Sequence, residues 1–83
     1  MDGKLYLHYL NEFVTEAIHN SDGTKTGIIN YLLNIPGPGR LSRHREEKTK
    51  ALHDAQQAFN EHRHWPLEII LSHLGVEVKE YRR

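Results

Sequence analysis

Leu32-Leu33-Asn34-Ile35-Pro36-Gly37-Pro38-Gly39-Arg40-Leu41-Ser42 decides how the chain is divided, because it closes an apolar segment in a stiff turn and opens a highly charged one. Each proline fixes its own φ and lacks a donor, and each pushes the residue before it out of the helical region. A helix carrying Leu32 and Leu33 therefore stops by about Asn34. Gly37 and Gly39 are free to take positive φ, which is expected to provide a sharp reversal between the prolines. A phosphate-binding loop would need a preceding strand and a following Gly-Lys-Ser/Thr, and Arg40-Leu41-Ser42 supplies neither. The stretch reads as a structural connector, with a partner-contacting loop as the alternative.

Upstream of it, Tyr6, Tyr9, Leu10, Phe13, Val14, Ala17 and Ile18 recur at helical spacing and predict an amphipathic helix over 4–19. Leu5 and Leu7 widen its first turns beyond one stripe, so that end is expected to be covered by another segment or by a second copy of the chain. Asn20-Ser21-Asp22-Gly23 breaks it. Thr24 or Thr26 caps a second helix over 25–34, apolar nearly all round and hence expected at the centre of the fold. On that view Leu33→Asp should unfold the domain by burying an unpaired charge. Gly27 belongs in its first turn or at a close approach, since glycine inside a helix costs about 1 kcal/mol against alanine.

Downstream, 42–63 lacks Gly and Pro and is rich in good helix formers, with Ser42 as the candidate cap. Arg43 to Lys50 contains no apolar residue, so that half is expected to project into solvent, and Lys48→Ala to be nearly neutral. Ala51, Leu52, Ala55, Ala58 and Phe59 form a narrow stripe that packs inward. A last helix over 66–74 opens with Pro66 at its first position and closes with Gly75 in a left-handed conformation, bringing Val76 to Leu71. After it, 76–83 alternates like a short strand or an extended tail. The fold class is all-α: a compact four-helix domain over residues 1–83, with an optional short carboxyl-terminal β-strand.

At 83 residues, such a domain buries only about 60% of its unfolded surface. Without cysteine it has no disulfide or thiolate metal site to supplement the core, so a homodimer is the natural remedy. The amino-terminal residues lack the long apolar stretch of a signal peptide and no run reaches membrane-spanning length, so a soluble cytoplasmic protein with no membrane partner is expected. Eleven basic and eleven acidic residues cancel, but unevenly. Residues 1–23 set Lys4 against Asp2, Glu12, Glu16 and Asp22, whereas residues 40–50 set Arg40, Arg43, Arg45, Lys48 and Lys50 against Glu46 and Glu47. The molecule is expected to present an acidic face and a basic one.

Four of the seven histidines, His53, His62, His64 and His73, fall after residue 50. Glu61-x-x-His64 has the spacing of carboxylate-histidine pairs in bundle metal sites, but it lacks matching carboxylates and Trp65-Pro66 ends the helix there. No metal and no cofactor is expected. Ser21, Ser42 and Ser72 lie outside any nucleophile elbow, and Ser72 and His73 are helical neighbours that face apart. No catalytic residue is named, and the chain is not read as an enzyme.

The basic segment remains. Arg40, Arg43, Arg45, Lys48 and Lys50, with Trp65 as an aromatic anchor, are the candidate partner-binding residues. The favoured function is a small regulatory or inhibitory protein that binds another protein through this segment. The alternative is a regulator that binds DNA or RNA with Arg40 to Lys50.

Overall fold

The computed structural model describes residues 1–77; the part of the expected tail that falls on 78–83 lies outside them. Four helices follow in order, α1 (Gly3–Asn20), α2 (Lys25–Asn34), α3 (Arg45–Glu61) and α4 (Leu67–Leu74), with no strand among the described residues. The all-α four-helix domain is therefore the fold. Val76 and Glu77 are not in a strand; Val76 is buried, and the Glu77 N–H donates to Asn11 Oδ1 at 2.9 Å.

α1 begins where Asp2 caps it, the carboxylate accepting from the Lys4 and Leu5 N–H groups at 2.8 and 3.3 Å. Its core face is Leu10, Val14, Ala17 and Ile18, the four-and-three spacing of the sequence pattern. That face meets the Ala51, Ala55, Ala58 and Phe59 stripe of α3 in the most extensive helix pairing of the fold. The stripe looks narrow in sequence because it is built of alanines, and for the same reason the α1 backbone can come close to it.

α1 with α3, rather than α2, is thus the centre, which corrects the expectation for the second helix. α2 buries only Ile28 and Leu32, and Leu33 is 53% exposed. A short helix has room for one packed face, and here the row at 28 and 32 takes it. Two hydrogen bonds fasten it: Tyr31 Oη donates to Glu16 on α1 at 2.8 Å, and Gln56 Nε2 on α3 donates to the Leu32 carbonyl at 2.8 Å. Thr24 is its cap, accepting from the Gly27 N–H at 3.0 Å.

α4 ends as its sequence implied. Gly75 has φ +77°, its N–H donates to the Ser72 carbonyl at 3.1 Å, and the Val76 N–H donates to Leu71 at 3.1 Å. Those two bonds define a Schellman end, with Leu71 and Val76 both in the core. Pro66 sits one place earlier than expected, as the residue preceding the first helical turn, with ψ 148°. At the amino-terminal end of α1, Leu7 is exposed and Leu5 half-buried.

Candidate interaction surface

The connection between α2 and α3 is not built as its glycines suggested. Neither Gly37 nor Gly39 has a positive φ; the left-handed residue is His44, at φ 54° and ψ 40°. Ile35 leaves α2 in an extended conformation, as a residue before proline must, and the chain turns where the Ser42 N–H donates to the Gly39 carbonyl at 3.1 Å. His44 then redirects it into α3. Its imidazole Nδ1 is 2.9 Å from Tyr9 Oη on α1, and this contact anchors the left-handed turn to the core pair.

α3 therefore starts at Arg45, three residues later than the expected boundary, and Ser42 does not cap it. The Ser42 hydroxyl instead accepts from Lys48 Nζ at 3.0 Å. Glu46 and Glu47 occupy the first turn, where a negative charge complements the unsatisfied N–H groups. Nor does this half of the helix simply project into solvent. Glu47 is only 8% exposed and accepts from the Asp2 N–H at 2.9 Å. That bond, joined by its own backbone N–H and by the charges of His44 and the amino terminus, holds the Glu47 carboxyl below the usual carboxylate range.

The five expected cations separate into two groups. Lys48 is half-buried, bonded to Ser42 and 5.3 Å from the centroid of the Tyr9 ring. Lys50 pairs with Asp54 at 3.2 Å and lies 5.5 Å from the centroid of the Tyr6 ring. Both lysines thus fold back toward α1 and are shared with its aromatic rings. Arg40, Arg43 and Arg45 are exposed, and between the first two stands Leu41, 97% exposed. The only signal of this leucine in the sequence is an apolar residue between arginines in a polar run.

Trp65 is half-buried against the core, its ring stacked on His62 at 3.8 Å between centroids and 10° between planes. His73 meets Trp65 edge-on at 5.5 Å, and the Trp65 carbonyl accepts from Lys25 Nζ at 2.6 Å. The tryptophan thus joins the end of α3, α4 and the start of α2. Glu61 and His64 do not form a pair: Glu61 accepts from Gln57 at 3.1 Å, and His64 lies beyond the end of α3. Among the described residues no group of three or more His, Cys, Asp or Glu side chains could hold a metal ion.

One open cleft of about 300 Å³ escaped the sequence entirely, because three helices contribute to it: Tyr6, Asp54, Glu61, His62 and His73 line it. Within it, Tyr6 Oη donates to Asp54 Oδ2 at 2.5 Å. Burial and that hydrogen bond beside a negative charge push the phenol up to about 12. Asp54 thus already serves both Tyr6 and Lys50.

No family model, characterised protein or solved structure matches the chain. No helix among the described residues is long and apolar enough to cross a membrane.

Proposed function

We propose that this chain is a small regulatory or inhibitory protein that acts in the cytoplasm by binding another protein through the charged segment after the Pro-Gly turn. The observation that carries this reading is Leu41, 97% exposed between Arg40 and Arg43. An apolar side chain held in water gains roughly 1.5–3 kcal/mol when fully covered, whereas a phosphate backbone offers it no apolar area. Arginine beside an apolar anchor is the composition of interface centres. The second reading, nucleic-acid binding, is favoured by Arg40, Arg43 and Arg45 being exposed together. It would show as a salt dependence with a slope of about −0.9 per phosphate contact on duplex DNA.

The test is capture from native lysate on the immobilised full chain, with and without nuclease, comparing wild type with Leu41→Ser. Protein partners that survive nuclease and disappear with Leu41→Ser support the reading. Release of everything by nuclease moves the segment to nucleic acid. Equal capture by the variant overturns the role of Leu41.

A further inference from the structure

Arg45, Thr49 and His53 lie four residues apart on α3, so they stand one above another as an exposed row along one face. Each of the three lines a shallow depression on either side of the row. The first, about 350 Å³, is completed by Ile35, Gly37, Pro38, Leu52 and Gln56, so the Pro-Gly segment is its far wall. The second, about 620 Å³, is completed by Glu46 and Lys50. The first wall is stiff. Pro36 and Pro38 restrict the backbone, and Gln56 ties α3 to the Leu32 carbonyl of α2.

We propose that this row and its two flanking depressions receive an acidic amphipathic helix of the protein partner, a deepening of the function proposed above that rests on it. The charges are complementary to such a segment: in the lining of the second depression Arg45 and Lys50 stand against the single carboxylate of Glu46. Lys50 keeps its contact with Asp54, so Arg45 is the charge that a partner carboxylate meets first. Ile35 and Pro38, both half-buried, supply apolar area beside that charge, and apolar side chains one helical turn apart on the incoming segment would straddle the row. A phosphate backbone would make no use of the apolar wall. The surface therefore favours a peptide over a nucleic acid.

The probe is a synthetic amphipathic helical peptide of about five turns, with glutamate on one face and leucine on the other. Its controls are a scrambled peptide of the same composition and a version with lysine for glutamate. Each is titrated into isotope-labelled full chain, and a short DNA duplex is used as a competitor. We expect the acidic amphipathic peptide to shift the amides of Gly37, Thr49, His53 and Gln56. It should bind about tenfold tighter than the scrambled one, the change expected from covering one apolar side chain. Arg45→Glu, at an exposed position, should lose at least that factor with the helical circular dichroism unchanged, and Arg45→Lys should restore most of it. Equal binding of the scrambled or lysine peptide, or shifts that avoid the row, overturns the proposal. Displacement by the duplex at equal concentration does so too. Should Leu41→Ser abolish nuclease-resistant capture while the peptide leaves the row unshifted, the protein-binding function stands and this docking site falls.

Discussion

Tyr6 on α1 and Asp54 on α3, 48 residues apart in sequence, are joined by a phenol-to-carboxylate hydrogen bond of 2.5 Å at the edge of the central helix pair. The same carboxylate holds Lys50 at 3.2 Å, so one acid of α3 fixes a ring of α1 and an ammonium of its own helix. The phenol is pushed up to about 12 by burial and by Asp54, which means that folding favours its protonated form. Its contribution is whole below the ordinary tyrosine value near 10 and is lost as pH rises through about 12. We expect Tyr6→Phe to lower stability on the order of 2 kcal/mol at neutral pH, and the gap from wild type to narrow as pH climbs above 10. Urea unfolding of both proteins from pH 8 upward measures this. A gap independent of pH would show that the bond does not set the phenol. Tyr31, raised by its bond to Glu16, leaves some alkaline loss in the variant.

Glu47 makes the corresponding statement at the acid end. The Asp2 N–H is the largest cause of its lowered pKa, so the ionised carboxylate is favoured by folding. That contribution is present above the ordinary glutamate value of about 4.3 and is lost as pH falls through the depressed one. Glu47→Gln keeps the shape but removes the titration. It should be less stable at neutral pH, with a stability curve flatter than wild type below about pH 4.3. Parallel acid limbs for the two proteins would contradict the role of this bond.

His44 tests the left-handed entry to α3. A side chain at φ 54° costs about 1–2 kcal/mol relative to glycine, and His44 offsets this in part through Tyr9. His44→Ala keeps the strain and loses the bond, whereas His44→Gly loses the bond but is freed of the strain. We expect Ala to be the less stable by about 1 kcal/mol, read from denaturation midpoints. The reverse order would mean that the loop relaxes out of the left-handed region.

Core and surface can be separated by two neighbouring leucines. Leu32 is fully buried, and Leu32→Ala should cost about 2–5 kcal/mol. Leu33→Asp, by contrast, should change stability by no more than about 0.5 kcal/mol, since Leu33 is half in solvent. Lys48→Ala reverses its sequence-based expectation as well. With a bond to Ser42 and a place over Tyr9, Lys48 should lose about 1 kcal/mol on truncation. An unfolded Leu33→Asp protein would return α2 to the centre of the domain.

These residues also show what the chain disclosed before it was folded. The helix period of α1, the extent of α2 with a threonine cap at one of two candidates, and the Gly75 end were legible, because each depends on residues within a turn or two. The start of α3 was not, because Ser42 had a competing use: its hydroxyl serves Lys48, a partner six residues on. The centrality of α1 and α3 was hidden for a different reason. Alanines count little in an apolar tally, yet they decide how near two helices come. Of the site, the basic residues were visible as letters. Which of them fold back depends on Tyr6 and Tyr9, rings on another helix whose positions no local spacing encodes.

Gly27 gives the sharpest reversal of a general rule. Alanine normally gains about 1 kcal/mol over glycine within a helix. Here a Cβ would strike the Asp22 carboxylate, which accepts from the Thr24 N–H at 3.0 Å and from the Thr24 hydroxyl at 2.7 Å. Those bonds steady the residue that caps α2, and they hold the Asp22 carboxyl below the usual range. Gly27→Ala in the wild-type chain must therefore displace Asp22 and forfeit the gain. In an Asp22→Ala background only the Thr24 hydroxyl oxygen, 3.2 Å from the added Cβ, stays close, and the same substitution should recover up to about 1 kcal/mol. Thermal denaturation of the four proteins in this cycle decides the matter: an equal effect of Gly27→Ala in both backgrounds would show that Asp22 and Gly27 are not coupled, and that the glycine is there for the backbone alone.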